Sequence, residues 1–274
     1  MKIRDARAED AAGVRAVLGE AFAGQDFRFD LEGPSVVTKV AEEAGEIVGF
    51  YLGRLVRVRA TLVTGTLGVL RSHRGRGLSV KLMQAVLEGG KRAGMRRSYT
   101  QVHEDNVACV RTCLRCGYAI VGGELELARS PRSRAPAGRG ALPTDAAAIA
   151  RLVHAAAPPS LGAQWLDDDL RRFSVHPSGR LGLARAWIRG ERHRLDADRQ
   201  AVIRVGPAYG FEDLTLLRVH PSSRGASRGR AEDALLPFAT ARALHPEGDA
   251  PGLAAFERHG FSVERRLLSF DQRL

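Results

Sequence analysis

Three short segments of this 274-residue chain recur in the same order in its second half, and that repetition limits the fold more than any other feature. The opening stretch Arg4-Asp-Ala-Arg-Ala-Glu-Asp10-Ala-Ala-Gly-Val-Arg-Ala-Val17 is echoed 135 residues later by Arg139-Gly-Ala-Leu-Pro-Thr-Asp145-Ala-Ala-Ala-Ile-Ala-Arg-Leu152. Both read as a short strand, a turn with an acidic or hydroxyl cap, and an amphipathic helix. Val69-Leu-Arg-Ser-His-Arg74-Gly-Arg-Gly77-Leu-Ser79 is matched by Val219-His-Pro-Ser-Ser-Arg224-Gly-Ala-Ser227-Arg-Gly229. Cys113-Leu-Arg-Cys-Gly117-Tyr118 is matched by Phe256-Glu-Arg-His-Gly260-Phe261. Ser130 to Gly138 between the copies has the Pro, Ser and Gly content of a linker. The expected division is therefore 1–130 and 139–274.

Composition narrows the setting. No run of 18 or more apolar residues exists, which speaks against a membrane-spanning helix. The charged first ten residues lack the apolar stretch of a signal peptide, so a soluble, cytoplasmic protein is expected. The net charge is +11, and all but four of the 42 basic residues are arginine. That charge suits an anionic ligand, but it is spread along the chain without a basic tail or aromatic patch, and nucleic acid is not the expected partner. Cys109, Cys113 and Cys116 are read as reduced, packed thiols; a metal would need a ligand from elsewhere, and no second Cys/His pair has ligand spacing.

Periodicity in the first half predicts a helix over 9–22, a hairpin of strands 38–44 and 46–59 around Ala44-Gly45, and a strand over 61–70. Val48, Phe50 and Leu52 are expected on one hairpin face, continued by Val56, Val58 and Ala60. A helix over 77–92 turns Leu78, Leu82, Val86 and Leu87 to the core. A strand over 98–103, a helix over 106–116 and a strand over 118–128 follow.

The strand, Arg74-Gly75-Arg76-Gly77-Leu78-Ser79 and helix in succession form the informative constellation. Such a loop presents successive N–H groups at a helix N-terminus, a concave donor site suited to a diphosphate. It is neither a Walker loop nor a dinucleotide fingerprint, which need Gly-Lys-Ser/Thr or the first strand of a parallel sheet. The stretch resembles the signature of the GCN5-related N-acetyltransferase (GNAT) family, a Gln/Arg, a glycine three residues on and a small residue two further. Here these are Arg74, Gly77 and Ser79, with serine as the small residue. Asn106 followed by Gly117-Tyr118, and the opening Ile3-Arg4 with Ala6 and Asp10, are similar to other stretches of that family. The resemblance covers nearly all of 1–130 and, more weakly, 139–274.

It implies an α/β (α+β) fold class with two tandem GNAT folds, each a mixed, mostly antiparallel twisted sheet flanked by helices. It also implies acetyl-CoA as acyl donor and an N-acetyltransferase acting on an amine of a small molecule or peptide. Leu67, Gly68 and Val69 would hydrogen-bond the pantetheine arm through their main chain. Gly75 to Val80 would hold the pyrophosphate, beside Arg74 and Arg76, and Asn106 would lie near the thiol end while also serving as a helix cap. The chain departs from the family at two positions: Gln101 stands where a glutamate base often sits, and Cys113 where a tyrosine acid is expected. His103, Glu104 and Asp105 are the alternative proton acceptors, with His103 best tuned to neutral pH. Cys113 is the candidate proton donor, Tyr99 and Tyr118 more distant options, and direct attack with water-relayed proton loss needs none of them.

The second copy reads as degenerate. Ser227 replaces the central glycine, Asp249 and Phe256 stand where Asn106 and Cys113 are, and 36 residues separate Arg224 from Gly260 against 43 from Arg74 to Gly117. The intervening strand is therefore expected to be short or missing. Glu212 and Asp213 are weighed as acceptor-lining residues, and Trp165 to Asp169 as an acidic helix start. Two alternatives to the enzyme stay open, a catalytically silent CoA-binding sensor or scaffold and, from charge alone, a nucleic-acid binder.

Overall fold

The structure, a computed structural model, describes residues 1–22, 30–130, 139–158, 170, 172–173, 180–189, 191–208, 211–223 and 225–274. Its first elements are β1 (Lys2–Asp5), α1 (Ala11–Ala21), β2 (Val36–Glu43), β3 (Glu46–Val56), β4 (Thr61–Val69), α2 (Leu78–Arg92), β5 (Arg97–His103), α3 (Val107–Arg115) and β6 (Ala119–Ala128). There follow β7 (Arg139–Gly140), α4 (Ala146–Ala156), α5 (Arg180–Ile188), β8 (Arg192–Leu195), β9 (Ala201–Ala208) and β10 (Phe211–Val219). The chain ends with α6 (Gly225–Leu235), β11 (Arg242–Pro246), α7 (Ala250–Arg258) and β12 (Ser262–Arg273). Two compact units result, Met1–Val121 with Leu268–Leu274, and Gly122–Leu267.

In the first unit the strand order is β1-β2-β3-β4-β5-β12. β1 to β4 are antiparallel neighbours, while β4 and β5 run parallel. Ala44 (φ 51°) and Gly45 (φ 85°) make the tight turn between β2 and β3, both in the left-handed region that such two-residue hairpins require. Apolar residues bury both sheet faces. Val14 and Val17 of α1 pack with Val40 and Phe50, while Leu82, Met83 and Val86 of α2 pack with Tyr51 and Leu62. β3 is thus buried on both sides, where alternation predicted one. Of the expected continuation, Val56 ends β3 and is buried, but Val58 and Ala60 do not extend the strand. Residues Arg57–Arg59 form a 3-10 turn, and Ala60 (φ 46°) reverses the chain into β4.

The division also differs from the expected one. The last seven residues lie in the first unit, because Leu268 and Phe270 are buried in its core and Asp271 pairs with Arg97. Of the expected linker, 131–138 lie outside the described residues. So do Trp165 to Asp169, Arg224 and the side chains of Glu212 and Asp213.

In the second unit the order is β12-β6-β11-β10-β9-β8-β7, with β10 and β11 parallel. α6 and α7 cover Leu125, Ile203 and Leu217, while α4 packs on the opposite face against Leu195, Val202 and Leu216. β11 has five residues, the short strand expected from the spacing. The repeat is visible in atomic detail. Arg4 grips Asp10 through two bonds of 2.7 and 2.8 Å, and Arg139 grips Asp145 through two of 2.7 Å. Each aspartate also accepts a main-chain N–H three residues back, from Arg7 or Leu142. The guanidinium holds the Asp145 carboxyl down at about 2, and Asp10 is lowered for the same reason.

The second unit carries charge in its interior: Arg172 and Glu124 form a two-bond pair at 2.6 and 3.0 Å with side chains 4% and 0% exposed. Such a pair costs desolvation and stabilises little by itself, yet losing one partner strands the other charge. Nearby, the His193 and Phe173 rings lie 6.3 Å apart. Burial, aided by the Arg204 charge, drops the His193 pKa from 6.5 to about 4.

Two outcomes follow. Phe270→Ala, which empties a fully buried site, should destabilise the first unit by about 3–5 kcal/mol in urea unfolding followed by circular dichroism; a loss below about 1 kcal/mol would place the C-terminal segment outside that core. Between pH 6.5 and about 4 the unfolded chain binds a proton at His193 that the folded chain refuses. The second unit should therefore lose up to about 1.4 kcal/mol per pH unit across that window as pH falls, with the loss much reduced in His193→Gln. Tryptophan fluorescence reads this unit, since Trp165 and Trp187 both fall between residues 122 and 267.

Candidate functional site

The site begins with a failure of strand pairing. β4 and β5 are in register at Thr61–Arg97, Leu62–Ser98 and Val63–Tyr99, and the ladder stops there. Beyond it, Thr100 Oγ1 donates to the carbonyl of Thr64 at 3.1 Å. On the other side β4 stays paired with β3, but Tyr51 faces Leu67 and Gly53 faces Thr64. Three steps along β4 match two along β3, so one extra residue is accommodated near Gly65 and Thr66, a β-bulge that bends β4. The edge of β4 from Gly65 to Val69 is thereby turned away from β5. Gly68 has its own packing reason: a Cβ there would lie 2.5 Å from the Phe50 ring.

β4 leads into a 3-10 turn, Arg71–His73, and then into the glycine loop. Gly75 (φ 75°) and Gly77 (φ 74°) are both left-handed, a conformation that side chains adopt only with strain. A Cβ at either would meet nothing within 4 Å, so the space over the loop is open. α2 starts at Leu78 without a side-chain cap, and its first helical bond runs from Lys81 N–H to Gly77 C=O. The N–H groups of Leu78, Ser79 and Val80 have no partner one turn back, which is the arrangement that binds anions. Arg74, expected as a charge beside the ligand, also ties the loop to the strand: its Nε donates to the Val69 carbonyl at 2.9 Å. Arg76 is exposed beside the loop.

The floor of the opening is a set of buried hydroxyls and thiols. Tyr118 is the terminal residue of the Gly-aromatic pair, and its phenol lies 2.5 Å from Ser98 Oγ and 3.4 Å from Thr64 Oγ1, so it joins β4 to β5 where they part. Burial raises its pKa to about 12. Tyr51 is likewise buried and its phenol raised by burial, with Thr64 as its hydrogen-bond partner. Cys113 is fully buried. Its hydrogen bond with Cys109 and its burial both push its thiol up, while the same bond pulls the Cys109 thiol down. Cys116 Sγ lies 3.8 Å from the Val80 carbonyl, close to the start of α2.

Of the other expected residues, Asn106 caps α3, accepting the Cys109 N–H at 3.2 Å, and is exposed. His103 is half-buried at the end of β5, and its carbonyl accepts the Asn106 N–H at 3.0 Å. Gln101 donates to Ser269 Oγ at 3.3 Å, and Tyr99 lies 3.1 Å from the same hydroxyl. Tyr51, Thr64 and Ser98 were not singled out in the sequence; only their three-dimensional meeting marks them. No cluster with metal-ligand composition occurs among the described residues, and no helix of theirs is long and apolar enough to cross a membrane.

The model of the acetyltransferase (GNAT) family matches residues 9–118, the stretch that carries the opening and the glycine loop. This part of the chain is a GNAT domain. No curated relative matches the sequence significantly. Solved structures of the same fold cover the whole chain. A GCN5-related N-acetyltransferase of Sphaerobacter thermophilus matches 99% of this chain and 95% of its own at 17% identity, with a TM-score of 0.64. A tandem GNAT protein from the clavulanic acid biosynthesis pathway matches 99% and 98% at 15% identity and 0.61. A putative acetyltransferase of Pyrococcus horikoshii matches 100% and 89% at 14% identity and 0.59. The chain is thus a tandem of two GNAT folds.

The second GNAT fold handles the matching region differently. Gly225 keeps a left-handed φ of 52° like Gly75, but the residues matched to Arg76 and Gly77, Ala226 and Ser227, already lie in α6, so the second left-handed glycine of the first copy has no counterpart. Arg228, matched to Leu78, donates to both Asp249 oxygens at 2.6 Å and to Glu232 at 2.7 Å. Asp249 caps α7 as Asn106 caps α3. His245 and Arg228 hold its carboxyl low despite burial. Phe256 is fully buried, edge-on to Phe261 at 5.0 Å and 5.2 Å from the His245 ring.

The contrast is testable by calorimetry with CoA. Gly77→Glu puts a strained, negative side chain into the loop and should weaken binding at least a hundredfold, while Ser227→Glu should change it less than threefold. Equal losses from the two would contradict a single binding copy.

Proposed function

We propose that the first GNAT domain binds acetyl-CoA and transfers its acetyl group to an amine of a small molecule or peptide. The observation that carries this reading is the opening between β4 and β5, which ends on an uncapped, glycine-lined helix start. The residues fit the cosubstrate. Gly75 to Val80 offer N–H groups to the diphosphate, with Arg76 adding charge and Arg74 fixing the loop to Val69. The edge at Leu67, Gly68 and Val69 offers main-chain groups to the amide-bearing arm. When bound, acetyl-CoA supplies an activated thioester; the chain has to orient it, stabilise charge on the acetyl oxygen and move protons.

In this reading the residues at the floor are donors. Tyr118, with its pKa near 12, and Cys113, raised further, both stay protonated at neutral pH and can give a hydrogen bond or a proton to a departing sulfur. His103, at the end of β5, is the residue available to take the amine proton, since Gln101 has no basic form. The second copy is a structural module, because the Arg228–Asp249 pair joins its two helix starts and Phe256 fills the position matched to Cys113.

A second reading, a catalytically silent CoA-binding module in a cytoplasmic setting, is favoured by one observation. Gln101 spends its amide on Ser269 where the family commonly has a carboxylate. Incubation with acetyl-CoA and a panel of primary amines, following free thiol, separates the two. Amine-dependent thiol release is expected, and its loss in Gly77→Glu would tie it to this loop. Tight CoA binding without turnover on any amine would overturn the transferase reading and leave the silent module.

A further inference from the structure

Successive side chains of β5 point to opposite faces of the sheet. Ser98 bonds Tyr118 and Val102 lies in the core with Leu82 and Cys113, so these two face α2 and α3. Tyr99, Gln101 and His103 therefore share the other face, in a row that runs past the last pair with β4. The neighbouring β12 alternates in the same way: Leu268 and Phe270 are buried in the α2 core, and Ser269 between them is turned to the face of Gln101. One hydroxyl then holds two side chains. Ser269 Oγ is fully buried, accepts the Gln101 Nε2–H at 3.3 Å and lies 3.1 Å from the Tyr99 phenol oxygen. With its NH2 end fixed on β12, the planar amide turns its oxygen end away from β12, toward the side where the ladder to β4 has stopped. The floor of the opening, with Tyr118 and Cys113, is on the opposite face. An acceptor that reaches a thioester from the face of this row meets Gln101, which is half-buried.

An amine attacks through its lone pair, so an ammonium has to lose a proton first. A carboxylate in the place of Gln101 would hold the ammonium and could take that proton; an amide oxygen accepts an N–H bond and brings no charge. The row itself consists of a phenol, an amide and an imidazole, and the carboxylates of Glu104 and Asp105 follow in the exposed turn after the strand. The neutral fraction of the incoming amine therefore decides. At pH 7 about one peptide α-amine in seven is neutral, against about one lysine side chain in 2,500.

We propose that Ser269 is a positioning residue that holds Gln101 as an uncharged contact for the acceptor nitrogen, and that the acceptor is a weakly basic α-amine beside an amide, as at a peptide N-terminus, rather than an alkylamine such as a lysine side chain. This rests on the transferase reading above. The Gln101 oxygen accepts one N–H of the amine and so aims its lone pair. The amine nitrogen bonds to the acetyl carbon, the bond from that carbon to the CoA sulfur breaks, and the proton lost by nitrogen ends on CoA. Ser269 belongs to the segment that ends the chain, so Leu268–Leu274 serves the chemistry of the first unit as well as its core.

The test compares three acceptors at pH 7 by thiol release from acetyl-CoA: alaninamide, a lysine-free peptide with an open N-terminus, and a peptide with a blocked N-terminus and one lysine. One or both α-amines should exceed the lysine peptide by about a hundredfold in kcat/KM. Gln101→Glu, which supplies the missing carboxylate, should narrow that gap about tenfold. Ser269→Ala should lower kcat/KM for the α-amine about tenfold while calorimetry shows acetyl-CoA bound as before, and adding it to Gln101→Met should cost nothing more, since it acts through Gln101. Should Ser269→Ala unfold, Gln101→Met, at a half-buried position, has to show the same loss alone. Equal use of the lysine peptide and the α-amines, or unchanged kcat/KM in these variants, overturns the inference and leaves the transferase standing. If acetyl-CoA fails to bind, or binds and no amine releases thiol, the transferase reading itself falls.

Discussion

Two parallel strands that separate must leave main-chain groups without a ladder, and in this chain everything at the site depends on that separation. β4 and β5 are paired only through Val63 and Tyr99. The extra residue near Gly65 bends β4 away, and Tyr118 bonds Ser98 and Thr64 at the fork, holding the strands together just behind it. An open edge inside a sheet is costly unless water or a ligand satisfies it. Here it leads directly to a helix whose first N–H groups have no side-chain cap among the described residues. The strand edge beside Leu67 and the helix start at Leu78 to Val80 lie in series along one stretch, with the Val69 carbonyl taken by Arg74 between them. A long ligand with amides at one end and a diphosphate at the other matches that order.

The internal repeat shows which parts of the fold are constrained by assembly and which by chemistry. The Arg4–Asp10 and Arg139–Asp145 pairs keep the same spacing, the same two-bond geometry and the same main-chain contact. They fix the entry of α1 and α4, and both copies need that. The segments before α2 and α6 differ at one glycine. Gly75 and Gly225 are both left-handed, but a second left-handed glycine, Gly77, delays α2 until Leu78, while Ser227 in its place lies within α6. A helix that begins three residues earlier carries its N–H groups to a different place. A half-buried Arg228–Asp249 pair then joins the starts of α6 and α7.

Much of this was legible in the sequence where the cause is local. The periodicity of Leu78, Leu82, Val86 and Leu87 set α2, and all four are buried. Ala44-Gly45 set the hairpin, and Gly77 stood out because a left-handed turn needs it. What escaped depends on residues far apart in the chain. Gln101 meets Ser269 across 168 positions, and Arg97 meets Asp271 across 174. Nothing local in Leu268 to Leu274 says that this segment belongs with the first unit. Tyr118 looked like a packing aromatic, since its hydroxyl acquires meaning only once Ser98 and Thr64 are brought to it. The sequence carries no hint that the Arg74 guanidinium also folds back onto Val69.

The same distribution of burial divides the chemical labour. A phenol or thiol taken out of water is held in its neutral form, so Tyr51, Tyr118 and Cys113 are donors and poor bases. A base for an amine has to stand where its charged form is still hydrated. At the end of β5 the exposed Glu104 and Asp105 meet that condition, while His103 is half-buried with its Nδ1 enclosed. In the proposed transferase, donors would occupy the closed end of the opening and acceptors its mouth. A departing sulfur at the floor would find a proton, and an incoming amine at the rim would lose one, so that neither group must cross the site.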